Sequence, residues 1–155
     1  MDKIDKKLLE CTQDGIPIVP EPFKEIANKL NIDEEEVLNK FKALLKKGII
    51  RRFSASIGHR ALGITANAMC VWNVPDDRVD EVGKIMASFP EVTHCYERPR
   101  YSDWKYNLFT MIHSYEKEEC ISIAEKISKE TGITDYNILF SEKEFKKTGV
   151  RIINF

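Results

Sequence analysis

The stretch His94-Cys95-Tyr96-Glu97-Arg98-Pro99-Arg100-Tyr101-Ser102-Asp103-Trp104-Lys105-Tyr106-Asn107-Leu108-Phe109-Thr110-Met111-Ile112-His113 reads as two short strands joined by a polar turn. If the first strand is regular, alternation sets His94, Tyr96, Arg98 and Arg100 on one face. An imidazole, a phenol and two guanidinium groups make a poor core row. They make a good wall for a planar ligand that carries several carboxylates.

Working outward, Ile64 to Val74 has strand character, and Pro75-Asp76-Asp77 opens a helix carrying Val79, Val82, Met86 and Phe89. The two strands of the opening stretch follow, at about 92–99 and 105–113. A second helix runs from about Glu116 to Lys129 with Cys120, Ala124 and Ile127 inward, and Asp135 to Ser141 closes the series as a strand. The order β-α-β-β-α-β is the ferredoxin-like split arrangement. Two helices cover one sheet face, so the other needs a partner or lies open, which implies a dimer.

Upstream the apolar spacing is helical: Ile4, Leu8 and Cys11, then Phe23, Ile26, Ala27 and Leu30, then Val37, Phe41, Leu44 and Leu45. Pro22 opens the second of these helices. Asp33 and Glu36 have the spacing of a capping box for the third, and Gly48 stops it. Ile49 to Ala55 reads as a strand. Three helices and a β wing make a winged helix-turn-helix. The expected fold is therefore α+β, with a winged helix-turn-helix over 1–60 and a ferredoxin-like βαββαβ domain over 61–155.

The 155 residues carry 43% hydrophobic and 32% charged residues, a globular balance rather than a disordered one. No apolar run approaches the roughly 18–20 residues of a membrane span, and no secretory signal opens the chain. Cys11, Cys70, Cys95 and Cys120 are far apart without a C-x-x-C pair, which points to reduced thiols in a cytoplasmic setting and to no metal site. Net charge is −1, so no global field attracts nucleic acid, and an anion site must be local. The third helix opens with Asp33-Glu34-Glu35-Glu36, four carboxylates where a recognition helix meets phosphates. That argues against DNA as a partner.

The whole architecture resembles the Lrp/AsnC regulators. A narrower resemblance, to the siroheme decarboxylases, is carried by Gly48-Ile49-Ile50-Arg51-Arg52-Phe53, Gly58-His59-Arg60, Asn67-Ala68-Met69 and Phe89-Pro90-Glu91-Val92-Thr93-His94-Cys95-Tyr96-Glu97-Arg98. Tyr106-Asn107-Leu108-Phe109-Thr110-Met111-Ile112-His113 and Phe140-Ser141-Glu142-Lys143-Glu144-Phe145-Lys146-Lys147 add to it. The resemblance implies a carboxy-lyase that removes two acetate carboxyls from siroheme to give didecarboxysiroheme, in alternative heme or heme d1 biosynthesis. It implies no cofactor of its own, with the iron tetrapyrrole as substrate. It also implies pairing with a related subunit, as a heterodimer, or with a second copy, as a homodimer.

Against that chemistry, His94 is the candidate acid and Arg98 the candidate clamp on the reacting side chains. His94 as an iron ligand stays open beside the acid role. Arg52, His59, Arg60, Tyr96, Arg100, Trp104, Tyr106 and Lys146 are the candidate substrate-binding residues. For Trp104 and Tyr106, stacking on a macrocycle and ordinary turn packing both fit. His113 is assigned to structure or hydrogen bonding. Two other functions stay open, an Lrp/AsnC-type regulator with a small effector and a heme-binding sensor without turnover.

Overall fold

The computed structural model describes residues 1–149 and Arg151, with His59 and Arg60 described by backbone alone. Two compact units result, one from Met1–Ser56 with the segment from Lys147 on, the other from Ile57–Lys146.

The first unit packs three helices, α1 (Lys3–Thr12), α2 (Pro22–Leu30) and α3 (Glu34–Lys46). At the head of α1 the Asp2 carboxylate accepts from the Asp5 amide at 2.8 Å, and the Asp5 carboxylate accepts from the Asp2 amide at 2.9 Å. This reciprocal cap satisfies two amides that the helix cannot. Lys40 of α3 reaches both carboxylates, at 2.8 and 3.0 Å, and ties α1 to α3. Helix α2 stops at Asn31, whose φ of 54° lies in the left-handed region that asparagine tolerates. Leu8, Ile26, Ala27, Val37, Phe41 and Leu44 form the core that the helical spacing selects.

Two local expectations for this unit are corrected. Asp33 sits at the N-cap of α3 but makes no side-chain cap bond, so the expected box with Glu36 is absent. The expected wing strand over Ile49–Ala55 does not form either. Gly48, at φ 69°, reverses the chain, and the amides of Ile49 and Ile50 return to the Leu44 carbonyl. Beyond that point no strand is present among the described residues of the unit. A strand needs a ladder partner, and this unit offers none. The Phe53 ring instead packs on Phe23 and Phe41, with centroids 6.4 and 6.1 Å away.

The second unit is built on a four-stranded antiparallel sheet. Its strands are β1 (Ala66–Trp72), β2 (Val92–Glu97), β3 (Leu108–Ser114) and β4 (Tyr136–Phe140), in the order β2-β3-β1-β4. Helices α4 (Val79–Ser88) and α5 (Lys117–Thr131) pack on one face. This is the ferredoxin-like order expected from the element sequence. Alternation sends Ala68, Cys70 and Trp72 of β1 and Leu108 and Ile112 of β3 toward Val82, Met86, Ala124 and Ile127 of the helices. Trp72, fully buried, donates its indole N–H to the Thr110 hydroxyl at 2.9 Å and stacks on Tyr136 at 4.6 Å.

Buried Asn107 fixes where the β2–β3 hairpin meets β1. Its side chain accepts from the Val74 amide at 2.9 Å and donates to the Val74 carbonyl at 3.0 Å. Its backbone amide bonds Trp72 and its carbonyl takes the Arg98 amide. The helix-free face then carries the alternate residues: Asn67 and Met69 on β1, Phe109, Met111 and His113 on β3, and Leu139 on β4.

Candidate functional site

Strand β2 supplies the polar edge of the open face, and it does so through a bulge. Val92 pairs with Ile112 while His94 pairs with Met111, so the register shifts by one residue between them. Val92 and Cys95 both pack against the helix-side core although they are three residues apart. Strict alternation forbids that. The extra residue, Thr93, absorbs the mismatch and turns His94 and Tyr96 together onto the open face. Their rings lie 5.9 Å apart at 33°. Sequence alternation therefore groups the right pair, but only because the irregularity lies before His94.

The bulge has a second effect. Thr93 Oγ1 lies 3.0 Å from His94 Nδ1, 3.1 Å from His113 Nδ1 and 3.3 Å from the Met111 carbonyl oxygen. One hydroxyl thus joins two imidazoles from adjacent strands. His113 stands across from Asn67, and Met111 across from Met69. These residues give the face an apolar floor with polar groups at one end. The Oδ1 of Asn67 is buried and, among the described residues, has no hydrogen-bond partner, an acceptor that suits a donor. Thr93 and Asn67 were missing from the sequence-level candidates. The available signal was the pair of apolar residues Val92 and Cys95 at spacing three, which marks a bulge.

Arg98 continues the row beyond β2. Its guanidinium lies 5.3 Å from the centre of the Phe109 ring, and among the described residues this is its side-chain contact. Phe109 pairs with Tyr96, so the cation stays beside the phenol and the imidazole. The guanidinium is exposed and can take a carboxylate in a bidentate fork.

Arg100 does not join this group, which corrects the expected four-residue row. Strand β2 ends at Glu97, and alternation ends with it. The Arg100 guanidinium donates to the Lys105 carbonyl at 2.9 Å, to Asn73 Oδ1 at 3.3 Å, and to Asp76 and the Val74 carbonyl. It is a fastener for the turn. Trp104 and Tyr106 pair edge-on at 5.2 Å within that turn, and Lys105 bonds Asp135 at 2.7 Å. Lys146 is exposed at the end of the second unit, and Arg52 is exposed in the first. His59 and Arg60 lie on a 3-10 turn (His59–Leu62), and their side chains lie outside the described residues.

Burial disfavours the thiolate at two of the cysteines. Burial pushes Cys70 up to about 12 and raises Cys95 as well. Among the described residues, no group of three or more His, Cys, Asp or Glu is placed to hold a metal ion, and no helix is long and apolar enough to cross a membrane.

Residues 5–51 match the family of siroheme decarboxylase NirDL-like HTH domains, and residues 61–146 match the family of AsnC-like ligand binding domains. The chain is 66% identical over 152 residues to the siroheme decarboxylase beta subunit of Methanosarcina barkeri, covering 98% of this chain and 100% of that one. The chain belongs to the siroheme decarboxylase family. A second relative, the siroheme decarboxylase of Hydrogenobacter thermophilus, is 44% identical over 95% of this chain but over only 44% of its own length.

Among solved structures, the siroheme decarboxylase NirDL superposes with a TM-score of 0.69 at 40% identity, covering 99% of this chain and 48% of that one. A co-complex of NirDL with an iron-uroporphyrin III analogue gives 0.66 at 43% identity, over 98% of this chain and 47% of that one. This family member thus spans about half the length of those two-fold longer relatives. E. coli AsnC, with a TM-score of 0.77 at 16% identity, shares the fold.

Proposed function

We propose that the chain is a siroheme decarboxylase subunit, removing two acetate carboxyl groups from siroheme to give didecarboxysiroheme. The observation that carries the reading is the open sheet face itself. Two imidazoles share one hydroxyl, beside an exposed guanidinium and above a floor containing Met69, Met111 and Phe109. A flat macrocycle takes the apolar floor, and its carboxylates take the cation.

Each step breaks the bond between the acetate methylene and its carboxylate. Carbon dioxide leaves, the electron pair stays with the protonated macrocycle, and one proton ends on the methylene carbon as it becomes a methyl. His94, with Nδ1 held by Thr93, presents Nε2 as the proton donor. Arg98 holds a carboxylate and thereby fixes which acetate faces the imidazole. Tyr96 flanks His94 and lines the same side. Arg52, His59, Arg60, Trp104, Tyr106 and Lys146 are secondary candidates for the substrate's other carboxylates and edges. Arg100 is left out because its donors are engaged.

A partner completes the assembly in this reading. Relatives of this length are named as beta, NirH or NirL subunits, whereas the Hydrogenobacter protein, a single chain, is about twice as long. The partner is a related subunit or a second copy of this chain. DNA is not part of the proposal, since α3 opens with Glu34, Glu35 and Glu36.

The test is anaerobic incubation with siroheme, alone and with a related subunit, followed by product mass. Two successive losses of the mass of CO2 are expected in at least one arrangement. No loss in either would overturn the reading, and a spectral shift without mass loss would leave a heme-binding sensor in its place.

A further inference from the structure

The hairpin between β2 and β3 keeps one register to its tip but not one continuous ladder. Arg98 donates its amide to the Asn107 carbonyl at 2.8 Å, and Tyr101 and Trp104 exchange both backbone bonds at 3.0 Å. Both pairs continue the facing of Glu97 with Leu108. Bonded residues of an antiparallel strand lie two apart, whereas Arg98 and Tyr101 lie three apart, so the ladder loses phase between them. Pro99 sits in this gap, with no amide to give. In an unbroken ladder the Arg100 amide would bond the Lys105 carbonyl. Here that carbonyl takes Nε of the Arg100 side chain, at 2.9 Å.

The far end of the same guanidinium leaves the hairpin. It donates to Asn73 Oδ1 at 3.3 Å, to the Val74 carbonyl and to Asp76, all on the segment that follows β1. Lys105 fastens the other arm, with Nζ 2.7 Å from an Asp135 oxygen that also accepts from Asn73 Nδ2 at 2.8 Å. Arg100, Asn73, Asp135 and Lys105 thus close a ring across the base of the hairpin. Arg98 is the last residue before the break, and its side chain rests on the Phe109 ring at 5.3 Å. We infer that Arg100 is a positioning residue for siroheme binding. By stitching the broken ladder and tying it to the segment after β1, it holds Arg98 beside Tyr96 and His94. A guanidinium already aimed loses less freedom when a carboxylate arrives. The inference rests on the proposed reading of Arg98 as the carboxylate clamp, and Arg100 acts through that residue without touching substrate.

The experiment is a double-mutant cycle in anaerobic siroheme titration, on the full chain with its partner subunit as binding requires. Arg100→Met should weaken binding by more than about twofold in the wild-type background, and by less than about twofold once Arg98 is methionine. Asp76→Asn loosens the fastener while leaving both arginines in place, and its effect should depend on Arg98 in the same way. If Arg100→Met does not fold, the Asp76→Asn cycle decides by itself. Amide exchange without siroheme supplies a second readout. In Arg100→Met the Arg98 amide should exchange faster while the β1 amides stay protected. Equal losses of affinity in both backgrounds would make Arg100 a direct contact or a general support, and would overturn the inference. Binding within about twofold of wild type, or an unchanged Arg98 amide, would overturn it too. If the wild type binds no siroheme, the functional reading fails separately, and amide exchange still decides whether Arg100 holds Arg98.

Discussion

Replacing Arg98 by methionine separates two jobs of one guanidinium. In the free chain its side chain rests on the Phe109 ring at 5.3 Å. An exposed cation–π contact of this kind contributes about 0.5–1 kcal/mol, so the fold should lose no more than a few degrees of melting temperature. Methionine retains much of the aliphatic packing. A carboxylate held by the guanidinium is worth more, about 1.5–3 kcal/mol for a hydrogen bond to a charged group. At ~1.4 kcal/mol per decade this weakens siroheme binding about 10- to 150-fold. Arg98→Lys should fall between, because an ammonium retains the charge but not the planar fork.

The assay is an anaerobic absorbance titration with siroheme at two salt concentrations, run beside thermal unfolding. Added salt should narrow the gap between wild type and Arg98→Met. Binding within twofold of wild type, or an affinity loss that merely follows unfolding, would refute the assignment of Arg98 to the substrate.

Three further outcomes follow from the same geometry. His94→Ala should lower kcat about 10²- to 10⁴-fold with smaller change in the siroheme titration, measured by single-turnover product mass; an unchanged rate would remove it from the chemistry. Thr110→Val strands the buried indole N–H of Trp72 and should cost about 1–3 kcal/mol in urea unfolding, with Thr110→Ser close to wild type. Lys40→Met should destabilise the helical unit in a pH-dependent way. The Lys40 ammonium beside Asp2 holds that carboxyl at about 2, against 3.8 ordinarily, and the Asp5 carboxyl is also lowered, first by its bond from the Asp2 amide. Depressed carboxyls contribute stability above their ordinary range and lose it as pH falls toward 2. Lys40 is raised by the same pairing, so its share persists until the solution is more alkaline than 10.5. The gap in melting temperature between wild type and Lys40→Met should therefore be full at neutral pH and close between about pH 4 and pH 2.

Much of the fold is local and was legible. Helices α1, α2 and α3 announce themselves because apolar residues at helical spacing have one face to bury, and Leu8, Ile26, Val37 and Phe41 bury it. The β-α-β-β-α-β order prescribes the sheet because few unknotted topologies accommodate it. The wing misled because a β-prone run such as Ile49–Ala55 becomes a strand only beside another strand. Pairing is a property of the surroundings, not of the run.

By itself the sequence determined the elements, the helix-covered face, and the presence of His94, Tyr96 and Arg98 in one short alternating segment. Only the tertiary structure decided which groups meet. His113 stands beside Thr93 because β3 pairs with β2 in one register, and that register is shifted by the bulge at Thr93. Arg100 leaves the row because Asp76, Asn73 and Val74 come close to it from the segment after β1. Alternation is a local rule that holds while a ladder stays regular. Bulges, strand ends and cross-strand neighbours are set by contacts between residues distant in the chain.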